Sequence, residues 1–170
     1  FPGYQFGRAD QPLQARAKSL PFDRKTDAEG RATVPVTLPD LTEADRPLTL
    51  QVTTRVAEGS GRPVERQITR TVLPDTPMIG IKPLFDSTLS EGATATFDLI
   101  ALGPDQQPIP MDVTWTLNRL ETTYQWYSLN GNWQWEPTTT RSRVTSGRAT
   151  LGATAISVDA PVDWGQYALR

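Results

Sequence analysis

Two residue types are missing outright from the 170-residue chain: cysteine and histidine. Their absence excludes a disulfide, a thiolate nucleophile, a Cys/His zinc site and a Ser-His-Asp triad. Lysine is scarce: Lys18, Lys25 and Lys82 stand against 14 arginines, which reads as codon usage of a high-GC genome and not as function. No run approaches 18 consecutive apolar residues, so no segment reads as a membrane-spanning helix. Charge of one sign is lacking too. The net value is −2 with both signs spread evenly, and nothing favours nucleic acid or an anionic membrane. Asn-x-Ser/Thr does not occur, and no acidic cluster has the spacing of a calcium loop.

What is present is β patterning cut by corners. Fifteen prolines and twelve glycines punctuate the chain. The length suits one large domain or two of roughly 80–100 residues each. A hydrophobic content of 37% is adequate for sandwiches in which half of each strand faces water.

Residues 1–31 read as an extended approach and a loop, with a weak candidate helix over Gln11–Leu20 ended by Pro21. Thr26–Arg31 predicts a turn with Gly30 at positive φ. Ala32–Leu38 alternates and predicts a strand, placed at an edge or bulge by Pro35. Leu48–Val56 and Pro63–Val72 read as a strand pair around the Gly-rich turn Glu58–Arg62. Two arginines, Arg66 and Arg70, share the face of Val64, Ile68 and Val72, which suggests a partly exposed edge, a register change or an interdomain surface.

Leu73-Pro-Asp-Thr-Pro77 reads as a short, stiff linker. It divides the chain into residues 1–75, the later part of one β domain, and 76–170, a second one expected to be truncated at its C-terminus. In the second, strands are predicted over Met78–Phe85, Ala93–Leu102, Val113–Leu120, an aromatic hairpin, Ala149–Val158 and Asp163–Arg170. Turns are predicted at Ser90–Ala93 and Gly103–Pro108. Turn signals every 8–15 residues are the spacing of an all-β sandwich. The start at Phe1 and the end inside a strand-like run suggest part of a longer polypeptide.

Residues 121–140 hold three of the five tryptophans and two of the four tyrosines. Asn130-Gly131 at their centre is the dipeptide that best tolerates a type I′ turn. A two-residue loop pairs Trp126 with Trp135 and puts Tyr124, Trp126, Trp133 and Trp135 on one face. With Tyr127 these are the candidate interface residues. The alternatives are core or interdomain packing, a protein interface, or a stacking platform for sugar rings. Asp23/Asp27, Asp40/Glu43/Asp45 and Asp159/Asp163 all lie in turn-like segments, where a carboxylate bonds the local backbone; no catalytic pair can be placed. No cofactor or metal is expected.

Several phrases in order carry a resemblance: Phe1-Pro-Gly-Tyr-Gln-Phe-Gly-Arg-Ala-Asp10, Met78-Ile-Gly-Ile-Lys-Pro-Leu-Phe-Asp86, Ser90-Glu-Gly-Ala-Thr-Ala-Thr-Phe97, Tyr124-Gln-Trp-Tyr with Trp133-Gln-Trp-Glu136, and Ala160-Pro-Val-Asp-Trp-Gly-Gln-Tyr167. Together they resemble consecutive macroglobulin-like domains from the middle of bacterial alpha-2-macroglobulins. The resemblance implies two tandem macroglobulin or fibronectin III-like sandwiches, the first incomplete. It implies a large periplasmic inhibitor of proteases, often a lipoprotein of the inner membrane. Such a parent traps its targets by a conformational change after cleavage of a bait region. Target proteases, neighbouring domains of the same chain and a periplasmic cell-wall synthase are the partners it suggests, with no membrane contact by these residues. Many members carry a thioester built on a Cys-x-x-Gln-type motif, which a chain without cysteine cannot hold. A different class stays open: an immunoglobulin-like adhesin or carbohydrate-binding module using residues 124–135.

Overall fold

The computed structural model describes residues 1–11, 17–19, 25–38, 40–41, 44–57, 61–130 and 132–170. The candidate helix over Gln11–Leu20, the turn Glu58–Arg62, Asp23, Glu43 and Gly131 lie wholly or largely outside them. Among the described residues every regular element is a strand: β1 (Gln5–Phe6), β2 (Leu48–Val56), β3 (Val64–Val72), β4 (Met78–Pro83), β5 (Thr94–Leu102), β6 (Met111–Leu129), β7 (Asn132–Leu151), β8 (Ile156–Pro161) and β9 (Gln166–Leu169). The fold class is all-β, as the alternation predicts.

The strands form three sheets, ordered β1-β4-β5-β8, β2-β3 and β7-β6-β9, with every ladder antiparallel. The first and third sheets pack face to face. Ala95, Leu99, Ala101, Val158 and Ala160 from one meet Leu117 and Leu151 from the other, with Phe97, Trp115, Val113 and Leu169 closing round them. Inward residues alternate along β5 and β6 because successive side chains of a strand leave opposite faces. The far face of β5 is also covered at one end: Ile100 and Leu102 are buried beside Met78.

Turns follow the local chemistry. Gly30 and Gly92 take φ of 76° and 74°. The Asp27 carboxylate accepts from the amides of Glu29 and Arg31. Gly103 donates to the Gln107 carbonyl while Asp105 accepts from the Gln107 amide. A short polar side chain that mimics a backbone turn makes these corners cheap to form.

Three expectations are corrected. Residues 31–38 form no ladder: Pro35 cannot donate and the small apolar residues on either side stay largely exposed, so little holds a strand there. Val113–Leu120 is not a strand of its own but part of a continuous 19-residue β6, paired over its whole length with the 20-residue β7. Ala149–Val158 is two strands, since Gly152–Ala155 turns the chain between β7 and β8.

The β2–β3 ribbon matches the predicted pair, with Val52 opposite Ile68 and Val56 opposite Val64. It is a separate two-stranded sheet whose Val56, Val64 and Ile68 are exposed. The linker that follows is anchored: Pro74 is fully buried, and the Thr76 hydroxyl donates to the Ala44 carbonyl.

Candidate functional site

The hairpin of β6 and β7 is about 60 Å long at the usual rise per strand residue. Its inner half belongs to the sandwich. A bulge marks the transition: Leu117 pairs with Thr145 and Asn118 with Arg143, leaving Val144 as the extra residue. An inserted residue bends its strand and increases local twist. Beyond it, β9 pairs with β6 only across Leu117–Leu120. From there to the tip residues 121–128, Asn130 and residues 132–143 are all exposed, on both faces of the ribbon.

The tip has the register that the Asn-Gly loop predicts. Asn130 takes φ 52°, Leu129 pairs with Asn132, Ser128 with Trp133, Tyr127 with Gln134, and Trp126 with Trp135. Tyr124, Trp126, Trp133 and Trp135 therefore share one face. Tyr124 and Trp135 pack edge-to-face, with centroids 5.4 Å apart and planes at 63°. Tyr127 lies on the opposite face, where its hydroxyl donates to Gln134 Oε1 at 3.2 Å. All five rings remain 41–72% exposed. Neither core packing nor bracing of the 73–77 linker uses them. Nearer the sandwich the ribbon is stitched by Thr122 and Thr139, whose hydroxyls lie 3.0 Å apart, and by the Thr123 hydroxyl donating to the Thr138 carbonyl.

A second constellation escaped the sequence reading. Residues 1–10 are more than an extended approach: β1 joins the edge of β4, with Gln5 opposite Ile81 and Phe6 opposite Gly80. A Cβ on Gly80 would lie 2.7 Å from Phe6 Cε1 and 3.1 Å from Tyr4 Cδ1, so glycine is what admits both rings. Lys82 Nζ stands 5.9 Å from the centre of the Tyr4 ring. Burial, and after it the charge of Asp98, raises the Tyr4 hydroxyl above its ordinary pKa. Farther along, Arg46 donates to the Arg8 carbonyl, while Asp45 accepts from the Arg8 amide. The Arg46 hydrogen bond, aided by that amide, holds the Asp45 carboxyl below its ordinary range. Asp10 then receives Arg8, Arg141 and Arg170 at 3.4, 3.1 and 3.5 Å. One carboxylate so ties the N-terminal segment to the root of the hairpin and to the residue after β9. The one sequence signal for this strap was Gly80 between two isoleucines, since glycine inside a strand marks a close approach.

Nothing in this set resembles a reaction centre. No group of three or more Asp and Glu side chains among the described residues could hold a metal ion. Asp45 takes part in the strap, Asp27 serves its own turn, and Asp163 donates its backbone amide to the Tyr167 hydroxyl.

A two-layer sandwich with a protruding hairpin, preceded by a β ribbon, defines a tandem of all-β modules. Residues 80–170 match the family described as bacterial macroglobulin domain 6, and residues 1–74 match the MG5 domain of bacterial alpha-2-macroglobulin. The chain belongs to the bacterial macroglobulin-domain family. It is 30% identical over 176 residues to alpha-2-macroglobulin of Xylella fastidiosa strain 9a5c and 29% identical over 174 residues to that of strain Temecula1. Those alignments take in 100% of this chain and 10% of each relative, so the chain spans about a tenth of their length. Among solved structures it is similar to the native conformation of E. coli alpha-2-macroglobulin, with a TM-score of 0.78 at 24% identity, a likeness of fold. It is also similar to E. coli alpha-2-macroglobulin activated by porcine elastase, with a TM-score of 0.74 at 27% identity. Both cover 99% of this chain, and 12% and 15% of the E. coli chains.

Proposed function

We propose that this chain is a structural part of a longer bacterial alpha-2-macroglobulin, a periplasmic inhibitor that traps proteases by a conformational change, and that it does no catalysis of its own. The observation carrying this reading is the pair of structural matches. One fold, from β1 to β9, is similar over 99% of its length to both a native and an elastase-activated relative. A trap that rearranges on cleavage needs modules that move as rigid bodies, because packed interfaces switch between states while cores do not deform continuously. Pro74, fully buried in the segment that joins β3 to β4, and the Asp10 contacts supply such stiffness.

The test is made on the full-length polypeptide. Incubated with a broad-range protease such as elastase, it is expected to retain the protease and shield it from large substrates. Leu117→Asp, which places a charge in the sandwich, is expected to abolish that retention. A full-length protein that is cleaved without retaining any protease would overturn the reading. The exposed aromatic face favours one other reading, a polysaccharide-binding module. That reading predicts glycan-array binding lost on Trp126→Ala or Trp133→Ala.

A further inference from the structure

We infer that the aromatic face of the hairpin tip is a docking surface for another module of the same polypeptide, one that offers an uncharged, apolar surface. The inference rests on the reading of the chain as one part of a longer macroglobulin. Its starting point is an imbalance within the hairpin. Tyr124, Trp126, Trp133 and Trp135 stand together on one face, 55–72% exposed, on a ribbon that reaches about 30 Å past the last residue of β6 paired with β9. Nothing in the described residues covers them, and their burial adds nothing to the sandwich core.

The chemistry of the face selects the kind of partner. On it, Tyr124, Trp126 and Ser128 oppose Pro137, Trp135 and Trp133, and the next pair toward the root is Thr122 with Thr139. No charge lies within that set. The nearest cation on the face, Arg141, is already engaged by Asp10 at 3.1 Å. Interfaces concentrate tryptophan and tyrosine at their centres and deplete charge there. An acidic or basic partner finds no counterpart here, whereas an apolar one does.

Area decides between a tethered and a free partner. A fully covered aromatic side chain contributes roughly 150–250 Å². Four rings at these exposures offer about 400–600 Å² on this side. Independent partners, a second copy of the chain included, need about 800 Å² a side. Interfaces between domains of one chain begin near 600 Å² in total, both sides counted. Tethering supplies an effective concentration in the millimolar range, so a small patch suffices when its partner is on the same polypeptide. In the curated relatives the matched stretch is 10% of the length, which leaves ample chain to provide one.

The experiment is photo-crosslinking of the full-length polypeptide with benzoyl-phenylalanine replacing Trp133, and in a control replacing Gln125 on the opposite face. Positions 133 and 125 are both on the exposed ribbon, so neither replacement disturbs the core. The expected result is a crosslink from position 133 to one defined peptide outside residues 1–170. Its yield should not change over a hundredfold range of protein concentration, and it should be absent from position 125. Adding Trp126→Ser and Trp135→Ser should reduce that yield at least tenfold. A crosslink between copies that grows with concentration, one to an unrelated protein or glycan, equal yields from both faces, or no crosslink at all would each overturn the inference. Retention of protease by the same full-length protein is scored separately, so loss of the crosslink with trapping intact removes the docking surface and leaves the proposed function standing.

Discussion

Trp115 and Gly147 face each other across β6 and β7, and the indole fills the space that a Cβ at position 147 would need, with Cε2 and Cζ2 2.8 Å from it. The glycine is not there for a special backbone angle; it is there so that the largest side chain of the sandwich can lie flat on the neighbouring strand. Gly147→Ala should therefore destabilise the chain by about 1–3 kcal/mol, the usual cost of overpacking. Gly152, with open space where its Cβ would go, is the control and should change stability by no more than about 0.5 kcal/mol on substitution by Ala. Urea unfolding of the two variants checks both.

Leu117 is 0% exposed and touches the sheet seam beside Ala95, Ala160 and Val162. Truncation there removes buried methyl groups from a site held by two sheets that can close only partly. Leu117→Ala should cost about 2–5 kcal/mol in denaturant unfolding. A cost below 1 kcal/mol would mean that the sheets collapse onto the vacancy or do not pack as described.

Gly80→Ala should detach the N-terminal strap selectively, because Phe6 and Tyr4 cannot keep their places over an added methyl. Hydrogen exchange should show the amides of residues 5–6 losing protection, while those of β5 and β8 keep theirs. Phe6→Ala, which removes the ring instead of the space, should produce the same pattern.

Acid should loosen the same strap. The Asp45 carboxyl is held below its ordinary value, chiefly by the Arg46 hydrogen bond, and accepts from the Arg8 amide. An unfolded aspartate titrates at about 3.9. A group whose folded value is depressed contributes stability in full above the unfolded value and loses it as pH falls through the folded one. Protection of the Arg8 amide, taken relative to intrinsic chemical exchange, should thus be constant from pH 7 to about 4.5 and fall below that. In Asp45→Asn the acid step should vanish.

The tip should matter little to stability. Trp126 and Trp135 are a directly opposed pair on an exposed ribbon, and such a pair is worth about 0.2–1 kcal/mol. Replacing both with Thr should shift the unfolding midpoint only slightly. Solution scattering of the 170-residue chain should not change, since neither ring reaches the Pro74–Pro77 linker; a changed profile would mean that the rings do brace it.

The corners at Asp27–Arg31, Ser90–Ala93 and Gly103–Pro108 were legible because each is settled by two or three neighbouring residues: an aspartate that bonds the local backbone in the first and last, and a glycine at positive φ in the first two. The face shared by Ala95, Phe97, Leu99 and Ala101 was legible because a strand repeats every two residues. Ala32–Leu38 misled for the same reason. Alternation states which side chains would share a face if a strand formed, but not whether a partner strand is at hand. The hairpin's length was missed because the polar stretch from Leu120 to Thr123 and from Thr138 to Arg143 looks like loop, whereas continuous pairing with a neighbour of equal length keeps it in ladder.

By itself the sequence determined the all-β class, the tight corners, the opposition of Trp126 to Trp135 and the absence of thiol and imidazole chemistry, since all of these depend on residue type and short spacing. Tertiary structure alone decided that residues 5 and 6 extend the sheet at β4, that Asp10 gathers three arginines, and that the aromatic rings stand in solvent and not in the core. Those outcomes join segments up to 160 positions apart. They turn on which surface finds room against which, and no local pattern encodes that.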